Sequence, residues 1–423
     1  MNILWITRQD PRTGDSGELI YSGGLIRSLS GVSGFRVEVV AHEVAAPGAA
    51  RAPMPEDWTL VRGARRRRVG SLAGALPSDA FRLSGTPMRT ALRSRLAGGA
   101  PPDAVVIDQA ACGWALDILG RRARRTPVVY IAHNVEAAIR PAIARGAQGS
   151  LARRTLQRLD AWKYSRLEDR LCRRAALVAA ITDADSATFR ARFPGTPVRT
   201  LRPGYEATPT PRVPITAHTP RLAVIAGSFE WIAKQANLLD FLRVSTSRLA
   251  AAGIQIQVVG KAPAAFVSSV LREFPALEFH AHVPTVSPYL SSARLGLVID
   301  ALGGGFKLKT LDYIFHGLPV AGLGRAIQDL PVDRHADLIL ADSYGALADA
   351  MIDRIDDTGA LDAMRHRALE KCLPHFRWER RCHELAAALS SLAAPGSDTE
   401  PFTLASLGSL LPAAPSDCST PER

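Results

Sequence analysis

The sequence predicts an α/β protein made of two doubly wound domains, each a parallel sheet with helices on both faces. The chain has 423 residues, which is more than one hydrophobic core usually fills. Short apolar, β-branched runs alternate with helical stretches along its length, the pattern of parallel strands covered by helices. Hydrophobic residues make up 47% of the chain and charged residues 22%, as in folded soluble proteins with a large core.

Candidate strands fall into two groups, separated by a segment rich in proline and threonine. The first group lies at residues 2–7, 35–40, 104–108, 127–133, 177–182 and 198–201. The second group lies at residues 222–226, 255–259, 277–280, 295–300, 319–323 and 338–341. We therefore predict a first domain over 1–205, a linker over 206–220 and a second domain over 221–371, followed by an amphipathic run at 372–392. Residues 393–423 are rich in Ser, Pro and Ala and are expected to be disordered.

The charge of the chain predicts an anionic partner. The net charge is +12, and arginines cluster in the first half at Arg62, 65–68, 121–125 and 153–174. Aromatic residues are only 6% of the chain and no stacking motif lies among these arginines, so we expect no nucleic acid partner. Residues 65–68, followed by Val69, Leu72, Leu76 and Phe81, favour either an anionic membrane surface or a solvated arginine loop.

Cysteine content and hydropathy predict a cytoplasmic protein. This prediction includes a protein bound peripherally to the inner face of the cell membrane. Five scattered cysteines favour reduced thiols over a disulfide framework. No apolar run reaches the ~18 residues of a membrane span, and the first residues lack the pattern of a secretory signal. The spacing of Cys372, His375, Cys382 and His383 fits no common zinc site, so we expect no metal.

The segment with the most chemical information follows the predicted strand at 295–300. Gly303, Gly304, Gly305 and Phe306 form a turn whose uncovered amide groups, together with the start of a helix, favour an anion such as a diphosphate. Lys309 adds a full positive charge in the first turn of that helix. Asp312 and then Gly-Leu-Pro-Val at 317–320 complete the unit.

This segment resembles the donor-binding segment of family-four glycosyltransferases, which have the GT-B fold of two Rossmann-like domains facing across a cleft. The resemblance implies that Lys309 contacts the donor phosphate and that Asp312 binds the ribose hydroxyls. It also implies a nucleotide-sugar-binding second domain, an acceptor-side first domain and a closing helix at 372–392 that returns to the first domain. Gly304 stands where the family has the first of two glutamates, so the stereochemistry of transfer is not predicted.

Three further segments are similar to the same family. Gly227 and Ser228 end a strand before Lys234, which would pair with Lys309 on the diphosphate and stabilise the leaving group without a metal or other cofactor. An ordinary exposed lysine is the alternative at that position.

In the first domain, His133, Asn134 and Glu136 follow a strand. The resemblance implies that His133 binds the sugar or the acceptor and that Glu136 orients His133 or accepts a proton. The alternative is that these residues only begin a helix, since Asn134 is a good capping residue. Gly23 and Gly24 are similar to the family's glycine turn near the donor phosphate, the alternative being close packing of a helix on the sheet.

The sequence therefore predicts transfer of a sugar from a nucleoside diphosphate sugar to a lipid-linked or other saccharide acceptor in surface polysaccharide or glycoconjugate assembly. One alternative is a nucleotide-sugar epimerase on the same fold. Another is a glycosyltransferase-like partner protein without catalysis, because the first glutamate is missing.

Overall fold

The computed structural model describes residues 1–13, 16–43, 55–62, 67–98, 100–146, 150–206, 213–301 and 304–393. The predicted disordered tail lies outside the described residues from position 394 onward, as do residues 207–212 of the predicted linker. Gly303, Arg65 and Arg66 also lie outside them.

The first sheet has seven parallel strands in the order β3-β2-β1-β4-β5-β6-β7. The strands are β1 (Asn2–Ile6), β2 (Arg36–His42), β3 (Trp58–Val61), β4 (Ala104–Asp108), β5 (Val128–Ala132), β6 (Leu177–Ala180) and β7 (Val198–Thr200). Its helices are α1 (Gly17–Ser30), α2 (Ser78–Leu83), α3 (Thr86–Ala97), α4 (Leu116–Arg122), α5 (Glu136–Arg145), α6 (Leu151–Arg174) and α7 (Asp183–Arg192). Short 3-10 helices lie at Pro11–Thr13, Arg68–Ala73 and Ala110–Ala115.

The second sheet has six parallel strands in the order β10-β9-β8-β11-β12-β13. The strands are β8 (Leu222–Ser228), β9 (Gln255–Lys261), β10 (Glu278–Ala281), β11 (Leu295–Val298), β12 (Val320–Leu323) and β13 (Ile339–Ala341). The helices are α8 (Ile232–Ala251), α9 (Ala264–Glu273), α10 (Ser287–Ser292), α11 (Leu308–Phe315), α12 (Tyr344–Arg354), α13 (Thr358–Cys372) and α14 (Trp378–Ala393).

Each sheet separates two apolar cores because successive side chains of a strand point to opposite faces. In β1, Ile3 and Trp5 pack on the face covered by α1 and α14, whereas Leu4 and Ile6 pack on the other face. The second sheet is covered on both faces in the same way. The predicted fold class, two doubly wound α/β domains, is therefore confirmed.

Helix α14 packs against α1 of the first domain, and Trp378 is the centre of that contact. The Trp378 side chain lies in the same core as Tyr21 and Leu25. A Cβ atom at Gly24 would lie 2.2 Å from the Trp378 ring, and one at Gly23 would lie 2.6 Å from the Pro11 carbonyl oxygen. The predicted glycine turn at Gly23 and Gly24 is wrong, because both residues lie inside α1, where the absence of a side chain permits close packing.

Candidate active site

The glycine turn between β11 and α11 faces the first domain. Gly305 has φ +68°, the left-handed conformation that favours glycine. A Cβ atom at Gly305 would lie 2.7 Å from the His133 carbonyl oxygen, and one at Gly304 would lie 2.3 Å from Ile139 Cδ1. The described part of the turn therefore lies directly against the loop between β5 and α5, at the carboxyl ends of strands from both sheets. Gly303, predicted to belong to this turn, lies outside the described residues.

Lys234 and Lys309 come together on one carboxylate, that of Asp300. Lys234, near the start of α8, donates to Asp300 Oδ1, and Lys309 Nζ of α11 lies 2.5 Å from Oδ2. The Asp300 side chain is 1% exposed, whereas the Lys234 and Lys309 side chains keep 27% and 14% exposure. The structure thus brings together the two lysines that the sequence assigned to one diphosphate, on a carboxylate that the sequence analysis did not assign.

The electrostatics of this lysine pair are dominated by burial and by ion pairing. Burial by itself raises the pKa of Asp300, but the positive charges of Lys309 and Lys234 outweigh it and hold that pKa well below its usual range. Burial lowers the pKa of Lys309, although Asp300 acts in the opposite direction. Asp300 is therefore ionised at neutral pH and carries the counter-charge for both ammonium groups.

Lys307 is a third lysine at this site, and the sequence analysis missed it. Its ammonium group donates to the carbonyl oxygens of Gly304 and Gly305, the latter at 3.0 Å. Burial, with the nearby charge of Lys234 as the next cause, lowers the pKa of Lys307 to about 8. The signal was present in the sequence, because a second lysine lies two residues before Lys309 in the same anion-binding segment.

Three further predicted donor-binding residues, Ser228, Phe306 and Asp312, lie in the second domain. Ser228 ends β8 and donates from Oγ to Glu230 at 3.3 Å. Phe306 packs against Phe376, with ring centroids 5.6 Å apart. Asp312 accepts a hydrogen bond of 3.0 Å from the Tyr205 hydroxyl, and burial raises the pKa of its carboxyl. Asp312 is thus in contact with the segment that leaves the first domain.

His133 lies at the carboxyl end of β5 and is held by Asp108 from the neighbouring strand β4. The distance from His133 Nε2 to Asp108 Oδ1 is 2.7 Å, and Trp5 Nε1 donates to Asp108 Oδ2 at 3.0 Å. Burial by itself raises the pKa of the fully buried Asp108, but the interaction with His133 outweighs it and the pKa is lowered. The edge of the Tyr21 ring packs against the imidazole at 5.2 Å between centroids.

Glu136 does not orient His133, and that prediction is wrong. Glu136 Oε2 accepts from Arg140 Nε at 2.6 Å, one turn further along α5. The partner of His133 is Asp108, which the sequence analysis counted only as the end of a strand. A charged residue that ends a buried strand, beside the strand that carries a candidate histidine, was the available signal.

The start of α5 is held by a residue from another helix. Val135 occupies the capping position, and the Glu168 carboxylate of α6 accepts from the backbone N–H groups of Glu136 at 2.8 Å and Ala137 at 3.1 Å. Asn134 therefore is not the cap. Its Oδ1 instead lies where a Cβ atom at Gly305 would be only 2.6 Å away. Asn134 and the His133 carbonyl group therefore lie directly against the glycine turn of the second domain.

Two family models match the chain. One, described as glycosyl transferase 4-like domain, matches residues 20–204, and the other, glycosyl transferases group 1, matches residues 220–357. No match is found among curated protein sequences. The chain therefore belongs to the GT-B glycosyltransferases of the group 1, family-four-like kind, and it is a nucleotide-sugar-dependent glycosyltransferase.

Solved structures share the fold at low sequence identity. Sucrose-phosphate synthase from Thermosynechococcus elongatus is 14% identical with a TM-score of 0.66, covering 93% of this chain and 99% of that one. HepE of Anabaena, in complex with UDP and glucose, is 14% identical with a TM-score of 0.65, covering 92% and 100%. WaaG, a glycosyltransferase involved in lipopolysaccharide biosynthesis, is 14% identical with a TM-score of 0.64, covering 92% and 99%.

Proposed function

We propose that this protein transfers a sugar from a nucleoside diphosphate sugar to a lipid-linked saccharide acceptor, in surface polysaccharide or glycoconjugate assembly. The observation that carries the donor side is the convergence of Lys234 and Lys309 beside a glycine turn that faces the other domain. The solved relatives HepE and WaaG support the choice, since the first is in complex with UDP and glucose and the second is involved in lipopolysaccharide biosynthesis.

The role proposed for each side chain follows from the atoms on which charge develops during sugar transfer. As the bond between the anomeric carbon and the phosphate oxygen breaks, its electron pair stays on the diphosphate, where the ammonium groups of Lys234 and Lys309 stabilise it without a metal. The acceptor oxygen bonds to the anomeric carbon and loses its proton, for which His133 is the candidate acceptor. The side chain of Asp312 is assigned to the ribose hydroxyls. Because residue 304 is glycine, the turn provides no carboxylate at the position of the family's first glutamate.

A surface on the first domain supports an acceptor held at a membrane. The N-terminal half of α6 exposes Leu151, Leu159 and Trp162, which helical geometry places on one side. Lys163 holds the 3-10 helix Arg68–Ala73 against α6 by donating 2.6 Å hydrogen bonds to the carbonyl oxygens of Ser71 and of Gly74, the residue after that helix. We call the surface formed by Val69, Leu72, Leu151, Leu159 and Trp162 the α6 face.

The charge of the α6 face is positive. Arg153, Arg154 and Arg158 are exposed, and within the described residues they have no acidic partner. The Arg166 guanidinium lies 4.9 Å from the centroid of the Trp162 ring. Apolar side chains among arginines favour an anionic lipid surface. Leu76 and Phe81, predicted to belong to this surface, are half-buried instead. Within the described residues, no helix is both long and apolar enough to span a bilayer.

Thermal stabilisation by nucleotide sugars tests the donor assignment. A ligand that binds only the folded state adds about 2.7 kcal/mol of stability at a hundredfold excess over Kd, and so raises the melting temperature. We expect one of a panel of nucleoside diphosphate sugars to give such a rise, and Lys309→Ala to abolish it. Lys371→Ala is the matched control, because Lys371 pairs with Asp337 and, among the described residues, makes no hydrogen bond or ion pair with Lys234, Asp300 or Lys309.

Two results would contradict the proposal. One is that no donor stabilises the wild type, and the other is that Lys309→Ala keeps the full shift. Release of free nucleotide that depends on an added acceptor separates transfer from a nucleotide-sugar epimerase on the same fold. Loss of that release in Lys309→Ala argues against a partner protein without catalysis.

A further inference from the structure

Asp300 is a buried carboxylate at the centre of the donor site to which neither the sequence resemblance nor the proposed chemistry gives a role. It follows β11 by two residues, and its side chain is 1% exposed. Its Oδ1 accepts a hydrogen bond from Lys234, and its Oδ2 lies 2.5 Å from Lys309 Nζ in an ion pair. The lysines come from different helices, α8 and α11, so Asp300 is the one described group that contacts both ammonium groups.

The charge balance around Asp300 explains why a carboxylate is needed. Lys234, Lys307 and Lys309 carry three positive charges close together, and Asp300 reduces the sum to +2. Removing Asp300 would leave ammonium groups in a partly buried position without their counter-ion, where the neutral amine is favoured. Burial already lowers the pKa of Lys307 to about 8 and that of Lys309 below its usual value, even with Asp300 in place.

We propose that Asp300 is a positioning residue whose carboxylate, shared by Lys234 and Lys309, keeps both ammonium groups charged and directed at the donor diphosphate. The inference rests on the proposed donor site. An ammonium group has three N–H donors. The hydrogen bond to Asp300 Oδ1 uses one donor of Lys234, and the N–H groups of both lysines that do not face Asp300 are available to phosphate oxygens. Asp300 contacts no reacting atom and acts through the two lysines.

Tyr313, Tyr344 and Asp185 are further titratable groups that interact with Asp300 or Lys307. Tyr313 donates to the Leu297 carbonyl oxygen at 3.2 Å and Tyr344 to the Ile299 carbonyl oxygen at 3.0 Å. Burial raises the pKa of both hydroxyls, that of Tyr344 to about 12. Asp185 of α7 faces Lys307, and burial raises its pKa from a low starting value. These groups are the same in the wild type and in Asp300→Asn, so the difference between the two proteins in the pH dependence of donor affinity reports on the lysines.

The binding of UDP-glucose at different pH values tests the role of Asp300. Both phosphates of this donor keep one negative charge throughout the range. We expect the wild-type Kd, measured by calorimetry, to change less than about threefold between pH 6 and 7.5. In Asp300→Asn we expect Kd to rise more steeply over this range than in the wild type, because affinity falls by up to about tenfold per pH unit above the pKa of a lysine that must be charged.

Trace acetylation provides a readout that does not depend on the donor. The fraction of Lys309 acetylated by acetic anhydride at each pH is measured by mass spectrometry. Asp300→Asn should move the Lys309 titration down by at least about one pH unit. Asp300→Glu keeps the charge and should leave the titration near that of the wild type. Lys371, paired with Asp337, is the internal control and should titrate identically in all three proteins.

The outcomes separate this inference from the proposed function. An unchanged Lys309 titration in Asp300→Asn overturns the role of Asp300, whatever the donor. A loss of UDP-glucose affinity that is equal at all pH values also overturns it, because a merely structural defect would act in that way. A shifted Lys309 titration in a protein that binds no nucleotide sugar supports the role in keeping the lysines charged and contradicts the donor site.

Discussion

The hydrogen bond between His133 and Asp108 determines which nitrogen of the imidazole carries the proton. An ionised carboxylate only accepts hydrogen bonds, so the neutral ring donates from Nε2 and keeps Nδ1 as the acceptor. The lowered pKa of Asp108 ensures that the carboxylate is ionised at neutral pH. Within the described residues, Nδ1 has no hydrogen-bond partner. The dyad thus presents His133 in the tautomer that a proton acceptor requires.

Asp108→Asn is expected to reverse this tautomer with little change in shape. Trp5 Nε1 needs an acceptor, so the carbonyl oxygen of the introduced amide would turn to Trp5 and its N–H to His133. His133 Nε2 would then accept, and Nδ1 would carry the proton. We expect kcat to fall about a hundredfold or more, the typical contribution of a general base, with little change in donor affinity. The assay is the initial rate of nucleotide release from the donor found by thermal stabilisation.

A double variant supplies the control for the dyad. If Asp108 and His133 act as one unit, the single variant His133→Ala and the double variant His133→Ala, Asp108→Asn should have the same rate within about threefold. Independent, multiplicative losses would contradict a dyad. A wild-type rate in an Asp108→Asn protein that unfolds at the wild-type temperature would contradict it as well.

Residues whose role follows from a local motif were predictable, and residues whose role depends on a partner far along the chain were not. Lys309 was assigned from the glycine turn just before it in the sequence. Asp108 contacts His133 across 25 residues, and Asp300 contacts Lys234 across 66. These contacts form only when neighbouring parallel strands align their carboxyl ends, and a single sequence does not give the strand order.

At the scale of the element, α6 combines two surfaces along one helix of 24 residues. One face of its C-terminal half is buried and contributes Glu168, which holds the start of α5 beside His133. Its N-terminal half is exposed all round from Leu151 to Arg154 and carries the α6 face. One rigid helix therefore connects the proposed membrane contact with the loop that carries His133.

The double variant Leu159→Ser, Trp162→Ser tests the α6 face. Each apolar side chain buried in a bilayer interface contributes about 1.5 kcal/mol or more, so binding should weaken at least about tenfold. Co-sedimentation with vesicles of phosphatidylglycerol and phosphatidylcholine measures the effect. Wild-type binding should also fall in about 0.5 M salt and with pure phosphatidylcholine.

Val244→Ser is the matched control, because Val244 is similarly exposed on α8 of the other domain. Equal binding by the double variant and the wild type would remove the α6 face from consideration. A comparable loss in Val244→Ser would show that the effect is not specific to this surface.

The prediction of elements failed at strand β3 and at the pair Gly23 and Gly24. Strand β3 has four residues at the edge of the first sheet and is only partly buried, so it gives no distinct apolar run. Gly23 and Gly24 were interpreted as a turn from the resemblance to the family, although glycine is only disfavoured, and not excluded, in helix interiors. Tertiary packing against Pro11 and Trp378 overrides that preference. The twelve strands predicted from the sequence are all present in the structure.

At the scale of the whole molecule, the first domain is completed by a helix that follows the second domain in sequence. Trp378→Ala should remove about 3–5 kcal/mol of stability, because it leaves a cavity between α14, Gly24 and Gly204 that the backbone cannot fill. Urea unfolding followed by circular dichroism measures the change. Trp162→Ala, at a position where the side chain is 53% exposed, should cost less than about 1 kcal/mol. Similar midpoints for the two variants would contradict this account.

The interleaving of α14 with the first domain has a consequence for synthesis on the ribosome. When residues 1–205 have emerged, the apolar surface beside Tyr21 and Leu25 still lacks Trp378, Leu385 and Leu389. This surface stays uncovered while the second domain is translated, at about 5–20 residues per second. The nascent chain thus passes through a stage of many seconds in which it depends on chaperones or on its own partial collapse to avoid aggregation.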